Sequence, residues 1–146
     1  MNQYHYLEIE FGTPEYDQAI SLRDKILRKP LKLEFSEDQI AEEYNQIHFG
    51  CFDHHYNLLA CLSYQVKEGD TLKMRQVAVD DSLQNKGIGS AVVKFTEQWA
   101  KYKNYKKIIL HARDTAVTFY LKLHYIQNGK PFTEVGILHY AMEKIL

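Results

Sequence analysis

The chain has 146 residues, 45% of them hydrophobic, which is enough for one well-packed core and too few for two ordinary domains; residues 1–146 are read as a single domain. Its 18 basic and 19 acidic residues leave a formal net charge of -1, so no global positive field gathers nucleic acid or an anionic membrane surface. No apolar run approaches the roughly 20 residues that span a bilayer, and the opening "MNQYHYLEIEF" lacks the basic-then-apolar order of a secretory signal, so a cytoplasmic protein acting on a small molecule or a peptide is expected.

His5, Leu7, Ile9 and Phe11 alternate with polar residues as a half-buried first strand does. Thr13 and Pro14 then supply an N-cap and a first helical turn, and the helix is expected to end before Pro30. Tyr16, Ala19, Ile20, Ile26 and Leu27 form its apolar stripe, and Arg23 falls on that stripe, where a cation needs a reason. Ser36 with Gln39 makes a capping box for a second short helix carrying Ile40, Tyr44 and Ile47.

Three strand-like segments follow, "IHFGCF", "NLLACLSYQV" and "TLKMRQVAV", parted by the turns "DHHY" and "KEGD", which reads as an antiparallel meander. Cys51 and Cys61 lie in two of these segments; reduced buried thiols suit a cytoplasmic protein, and a disulfide is the alternative. From Gly87 the period becomes helical, with Ile88, Ala91, Val92, Phe95, Trp99 and Tyr102 on one face and Lys94, Glu97 and Lys101 opposite. "KKIILHA" then reads as a strand buried on both faces and parallel to an earlier one, because a helix separates them. "DTAVTFYLKLHY" suits another helix, with Ala116, Phe119, Tyr120 and Leu123 on one side, and "GILHYAM" closes the sheet.

The turn "QNKGIGSA" lies where a strand's carboxyl end meets a helix N-terminus, where free N–H groups and the helix dipole favour an anion. Gly87 and Gly89 remove side chains that would hold a phosphate away from the backbone. A dinucleotide fingerprint wants a third glycine where Val92 stands, and a P-loop wants Gly-Lys-Ser/Thr; neither is present. Taken alone, the turn serves helix initiation as well as it serves a ligand.

"QNKGIGSA" resembles the pyrophosphate signature Q/R-x-x-G-x-G/A of the GNAT superfamily of N-acetyltransferases, matched at Gln84, Gly87 and Gly89. "AVTFYLKLHY" resembles the family's A-x-x-F-Y-x-K-x-G-F helix, matched at Ala116, Phe119, Tyr120 and Lys122. The order of elements is also the family's, and "RDKILRKPL" and "EVGILHYAMEK" are similar to segments of a bacterial branch of acyltransferases. The resemblance implies an α+β fold in three layers: a mixed, mainly antiparallel sheet with one parallel β-α-β unit and helices on both faces. It also implies acetyl-coenzyme A, or another acyl-coenzyme A, as co-substrate, with no metal. Backbone groups of Val77, Ala78 and Val79 would line the pantetheine arm, and amides of Asn85, Lys86, Gly87, Ile88, Gly89 and Ser90 would take the phosphates, with Gln84, Phe119 and Lys122 completing the coenzyme site.

Tyr120 would protonate the departing thiolate; a core tyrosine on a helix stripe is the alternative. Arg23 would pair with an acceptor anion, or else with a nearby acid in a structural ion pair. His139 and His111 are candidate proton shuttles or hydrogen-bonded structural histidines. Many family members carry a glutamate base in the strand before the glycine turn, but Thr71 to Val79 holds no acid; a water chain ending at His139, Glu134 or solvent would substitute. Arg113 stands where the family often has asparagine, and His124 where it has glycine. His54 and His55 are taken as a solvated loop, since neighbours in an extended segment diverge and no second ligand pair follows. Lys94, Lys101, Lys103, Lys106 and Lys107 form a solvated face or greet the coenzyme's outer phosphate. The expected activity is direct transfer of an acyl group, most simply acetyl, to a primary amine on a small molecule or peptide, with a homodimer admitted as the assembly. The alternatives are a sensor that binds acyl-coenzyme A without turnover and an interaction domain with no coenzyme affinity.

Overall fold

A computed structural model of the chain describes residues 4–29 and 42–146. An 8-stranded sheet runs in the order β1-β2-β3-β4-β5-β8-β6, with β7 also paired to β8. Its first four strands are β1 (His5–Ile9), β2 (Ile47–Phe52), β3 (Leu58–Lys67) and β4 (Thr71–Val79), an antiparallel run. Helix α2 (Ile88–Tyr102) carries the chain over to β5 (Lys107–Arg113), which pairs parallel with β4. Helix α3 (Val117–Lys122) and three strands, β6 (Ile126–Gln127), β7 (Phe132–Glu134) and β8 (Ile137–Ile145), complete the order, all three strands antiparallel to their partners. The expected mixed sheet with one parallel unit is the observed one.

Helix α1 (Pro14–Arg23) starts as its sequence demands: the Thr13 hydroxyl accepts the Tyr16 N–H, and Pro14 needs no partner for an N–H it lacks. It continues as one wide turn over Asp24–Arg28. The capping box at Ser36 and Gln39, with Ile40, lies outside the described residues. Of the stripe assigned to that helix, Tyr44 is exposed in the 3₁₀ turn Glu42–Asn45 and Ile47 opens β2.

Two cores flank the sheet. On one face α1 packs Tyr16, Ala19 and Leu22 against Ile9, Phe52, Cys61 and Ala78. On the other, α2 and α3 pack against Phe49, Leu62, Leu72, Met74, Ile108 and Leu110. Cys51 belongs to the second core and Cys61 to the first, so the two thiols face opposite sides of the sheet and are free. Burial and nearby Asp53 push the Cys51 thiol up to about 11, and burial first of all pushes Cys61 to about 12; both stay protonated and inert near neutral pH.

Helix α2 is turned relative to the expected face. Ile88, Val92, Thr96 and Ala100 are buried with Gly89, Val93 and Glu97, whereas Tyr102 is 82% exposed. Two polar anchors cause the shift. The Thr96 hydroxyl meets the Tyr64 hydroxyl at 2.7 Å, and the Glu97 carboxylate accepts from Tyr125 at 2.7 Å and from Lys144 at 3.0 Å. A helical wheel places Glu97 opposite the apolar face, and its partners, on β8 and the segment after α3, are out of its reach. Strand β5 differs too: Ile108, Leu110 and Ala112 are buried, but His111 between them is exposed, so only one face is covered.

Arg23 is 2% exposed, and its fork grips Glu43 with NH1 to Oε1 at 2.7 Å and NH2 to Oε2 at 2.6 Å. Tyr16 donates to the same Oε1 at 2.8 Å, and the His48 ring meets the Glu43 carbonyl at 3.1 Å. This is the structural ion pair, and it corrects the assignment of Arg23 to an acceptor anion: both terminal nitrogens are taken by a carboxylate 20 residues on. Burial opposes ionisation of Glu43, but the Arg23 fork outweighs it and holds the carboxyl below its usual range. The resulting stability is complete above the ordinary carboxylate range and is lost as pH falls through the lowered folded-state value.

Substituting Arg23→Met should cost about 3–5 kcal/mol of folding stability, because Glu43 is left as an uncompensated buried charge, and Arg23→Met combined with Glu43→Met should recover most of that loss. Urea unfolding of the two variants measures this; an Arg23→Met protein as stable as the parent would refute the structural role.

A cleft between parted strands

The parallel ladder between β4 and β5 is short: it pairs Thr71 to Met74 with Lys107 to Leu110 and then stops. The reason lies in β4. Opposite β3, Cys61 pairs with Ala78 and Ser63 with Arg75, so Leu62 alone spans the two residues Gln76 and Val77. This is a bulge, and Gln76 sits in it with φ +57, a left-handed conformation that costs a non-glycine residue stability. The bulge bends β4 away from β5 and reverses the phase of its side chains. Leu72 and Met74 point into the α2 core, but beyond the bulge Ala78 points into the α1 core.

Between the parted strands lies a cavity of about 580 Å³. Its walls include Val77 and Gln84 from β4 and the turn after it, His111 and Arg113 from β5, and Leu27 and Arg28 after α1. Tyr120 of α3 and Glu134 and His139 of the final hairpin also line it. Past Met74, the β5-facing edge of β4 has no ladder partner, leaving backbone N–H and C=O groups to line the opening.

At the end of β4, Asp80 caps a short turn through the Ser82 N–H and hydroxyl, and the Gln84 side-chain amide donates to the Val79 carbonyl at 3.2 Å. Gln84 therefore ties the turn to the strand. Asn85 and Gly87 take φ +66 and +83, and α2 begins at Ile88 with no side-chain cap and no acid in its first turn. The first hydrogen bond within the helix comes from Ala91 to the Gly87 carbonyl, so the N–H groups of Ile88, Gly89 and Ser90 have no helical acceptor. An anion is the complement such a terminus wants. The phosphate of a coenzyme fits here.

The two glycines differ in purpose. A Cβ on Gly87 would meet nothing within 4 Å, and its glycine serves the left-handed backbone. A Cβ on Gly89 would meet Val79 Cγ2 at 3.2 Å and the Phe119 ring at 3.4 Å, so Gly89 lets α2 pack against β4 and α3. Ile88 is likewise buried in the core, the Ala78 side chain lies in the α1 core, the Phe119 ring lies against Gly89, and Lys86 and Lys122 are exposed.

Tyr120 is buried at the end of α3, its ring edge-on to Phe119 and Tyr125 at centroid distances of 5.0 and 5.7 Å. Its hydroxyl makes no hydrogen bond among the described residues, and burial drives its pKa above the ordinary phenol value. The helix ends with Tyr125 N–H on the Tyr120 carbonyl and His124 N–H on the Leu121 carbonyl, His124 having φ +73. The family's glycine is replaced, yet the left-handed backbone it serves is retained.

Across the cavity, Glu134 lies between two histidines: Oε1 is 3.7 Å from His111 Nδ1 and Oε2 is 3.7 Å from His139 Nε2. The His139 Nδ1 meets the Ile137 carbonyl at 2.8 Å, which fixes the ring. Burial, then nearby Lys73, lowers the His111 pKa, so its imidazole is neutral at pH 7. The turn that presents Glu134 contains Val135 at φ +47, a strained position for a β-branched side chain, followed by Gly136 at φ +74. The two histidines and the glutamate are thus brought together, although sequence distance separates them. His54 and His55 are elsewhere, in a turn held by Asp53, with rings 3.9 Å apart; the chain there is not extended, so the neighbours touch. Among the described residues no cluster of metal-ligating side chains occurs.

Known proteins share this fold. The chain is similar in fold to a Lactobacillus plantarum protein classed as an N-acetyltransferase (TM-score 0.86, 17% identity, 99% of each chain covered). It is similar to an acyl-CoA N-acyltransferase from Pseudomonas aeruginosa (TM-score 0.81, 14% identity, 97% of this chain and 99% of that one). An aminoglycoside 6'-N-acetyltransferase complexed with coenzyme A superposes with a TM-score of 0.80 at 17% identity, over 97% of this chain and 96% of that one. At such identities these likenesses speak to the fold. The family-level finding is that residues 29–146 match the model of the acetyltransferase (GNAT) domain, a span that holds the bulge, the glycine turn and Tyr120. By that match over most of its length, the chain belongs to the GNAT acetyltransferase family.

Proposed function

We propose that this protein transfers an acyl group, most simply acetyl, from coenzyme A to a primary amine by direct attack while both substrates are bound. The observation that carries the reading is the parting of β4 from β5, which leaves a free strand edge leading from an uncapped helix N-terminus to Tyr120. Amides of a pantetheine arm can pair with the edge at Val77 to Val79 as an added strand would. The N–H groups of Ile88 to Ser90, with Lys86 beside them, suit a pyrophosphate.

Acyl-coenzyme A supplies a thioester carbonyl for the amine to attack and a thiolate to leave. The ammonium proton released as the C–N bond forms needs an acceptor, and neutral His111, with Glu134 and His139 beside it, lies on the cavity wall for that purpose. The acid absent from β4 is thereby supplied from β7. Tyr120 faces the other partner. Burial keeps its phenol protonated and makes it a weaker acid than a free tyrosine, so against a thiol of pKa about 8.5 it works chiefly by donating a hydrogen bond to the sulfur as the C–S bond breaks.

Two measurements test this. Lys86→Glu places a negative charge at an exposed site beside the helix N-terminus, where it favours the helix and repels a pyrophosphate. Coenzyme A affinity by calorimetry should fall about tenfold without loss of stability, and undiminished affinity would exclude the turn as the phosphate site. Tyr120→Phe keeps the ring and removes the hydroxyl, so kcat should fall about 10²-fold while the Kd for acetyl-coenzyme A holds, the loss expected of a missing proton or hydrogen-bond donor. Wild-type activity in that variant would return Tyr120 to a packing role, and a parent protein that binds coenzyme yet turns over no amine would favour the sensor.

A further inference from the structure

Permanent cations crowd the cavity although the chain as a whole carries a net charge of -1. Lys73, Arg75 and Arg113 line it, and among the described residues Glu134, beside His111 and His139, is the one carboxylate on its wall. Lys73 and Arg75 are two residues apart on β4, hence on one face, both half-buried, and neither has a salt bridge among the described residues. Half-burying two adjacent like charges costs stability unless something compensates. Phosphates bound at the glycine turn would not reach them. Arg75 precedes Val79 by four residues and Lys73 by six, which at about 3.3 Å per residue puts them roughly 13 and 20 Å along the strand from the end where the glycine turn begins.

We infer that Lys73 and Arg75 bind a carboxylate on the acceptor, so that the amine substrate is a small amino carboxylate, such as an amino acid, rather than a polyamine or an aminoglycoside. The inference rests on the transferase reading for the identity of the site, and it goes beyond it by naming the substrate class. An arginine fork matches a carboxylate in two parallel hydrogen bonds, and the neighbouring lysine adds charge without a fixed direction. His111 on β5 and Tyr120 on α3 line the same cavity, into which an acceptor held by its carboxylate on β4 would present its amine. A polycation would instead meet the like charges of Lys73, Arg75 and Arg113.

The test compares thiol release from acetyl-coenzyme A with amino acids, the same amino acids as carboxamides, phosphoethanolamine and spermidine. Free amino acids should exceed their carboxamides at least tenfold in kcat/KM. Arg75→Met should raise the amino-acid KM at least tenfold, as loss of a charged hydrogen bond does, with the coenzyme Kd unchanged, and Lys73→Met should do so more weakly. Equal use of the carboxamides, or a preference for spermidine or phosphoethanolamine, overturns the inference. Should no amine be turned over, calorimetry of N-acetyl amino acids against their carboxamides still decides. A tenfold preference for the acid that Arg75→Met abolishes upholds the anion site while removing the transferase reading, and no preference overturns both.

Discussion

The bulge at Gln76 is the constraint on which the rest of the site depends. Without the extra residue, β4 would keep its pairing with β5 beyond Met74 and Leu110, and backbone hydrogen bonds would fill the space that is now a cavity. The phase of the strand would also be wrong. Lys73 and Arg75 would share a face with Val77, and Ala78 could not enter the core beneath α1. One residue with φ +57 therefore opens the cleft, frees the strand edge and sends the β4 side chains to their separate tasks. The local cost of a left-handed glutamine is offset by the packing of the two cores on either side.

The polar groups around this opening divide between holding and acting. Arg23 with Glu43 fixes α1 to the segment before β2, and Glu97 with Tyr125 and Lys144 fixes the end of α3 to α2 and β8. In each, a buried carboxylate is paired with a cation and accepts from a tyrosine hydroxyl, which is what makes buried charge tolerable. Tyr120, five residues before Tyr125 and in ring contact with it, owes its position to the second cluster. Lys73, Arg75, His111 and Glu134 face the cavity instead, and their charges are the ones available to a substrate.

Much of this was legible in the sequence. Strands β2, β3 and β4 fall on the three alternating apolar segments between turn residues, and the two motifs around Gly87 and Tyr120 point to the family before any contact is known. What the sequence hid were relations between distant residues. Arg23 on an apolar stripe signalled a partner, but nothing local identified Glu43, and an acceptor anion was an equally sound answer. Glu97 looked like a solvent-facing position because its partners, Tyr125 and Lys144, lie on other elements. The bulge left only a faint mark: Gln76 is not glycine, but Arg75 and Gln76, two polar residues in succession, interrupt the alternation of β4 there. Strands β6 and β7, of 2 and 3 residues, are too short to show a period, and with β7 missed, Glu134 could not be placed beside His111.

That the cleft parted by this bulge receives coenzyme A, with its phosphates on α2 and its arm along β4, is tested most directly by hydrogen exchange on the full chain with and without saturating coenzyme A. Amides of Val77 to Val79 and of Ile88 to Ser90 are expected to slow strongly on binding, as donors that gain acceptors do, while the surface turn around Asp53 and Asn57 stays unchanged. Binding that protects other segments and leaves these amides as fast as in the free protein would contradict it.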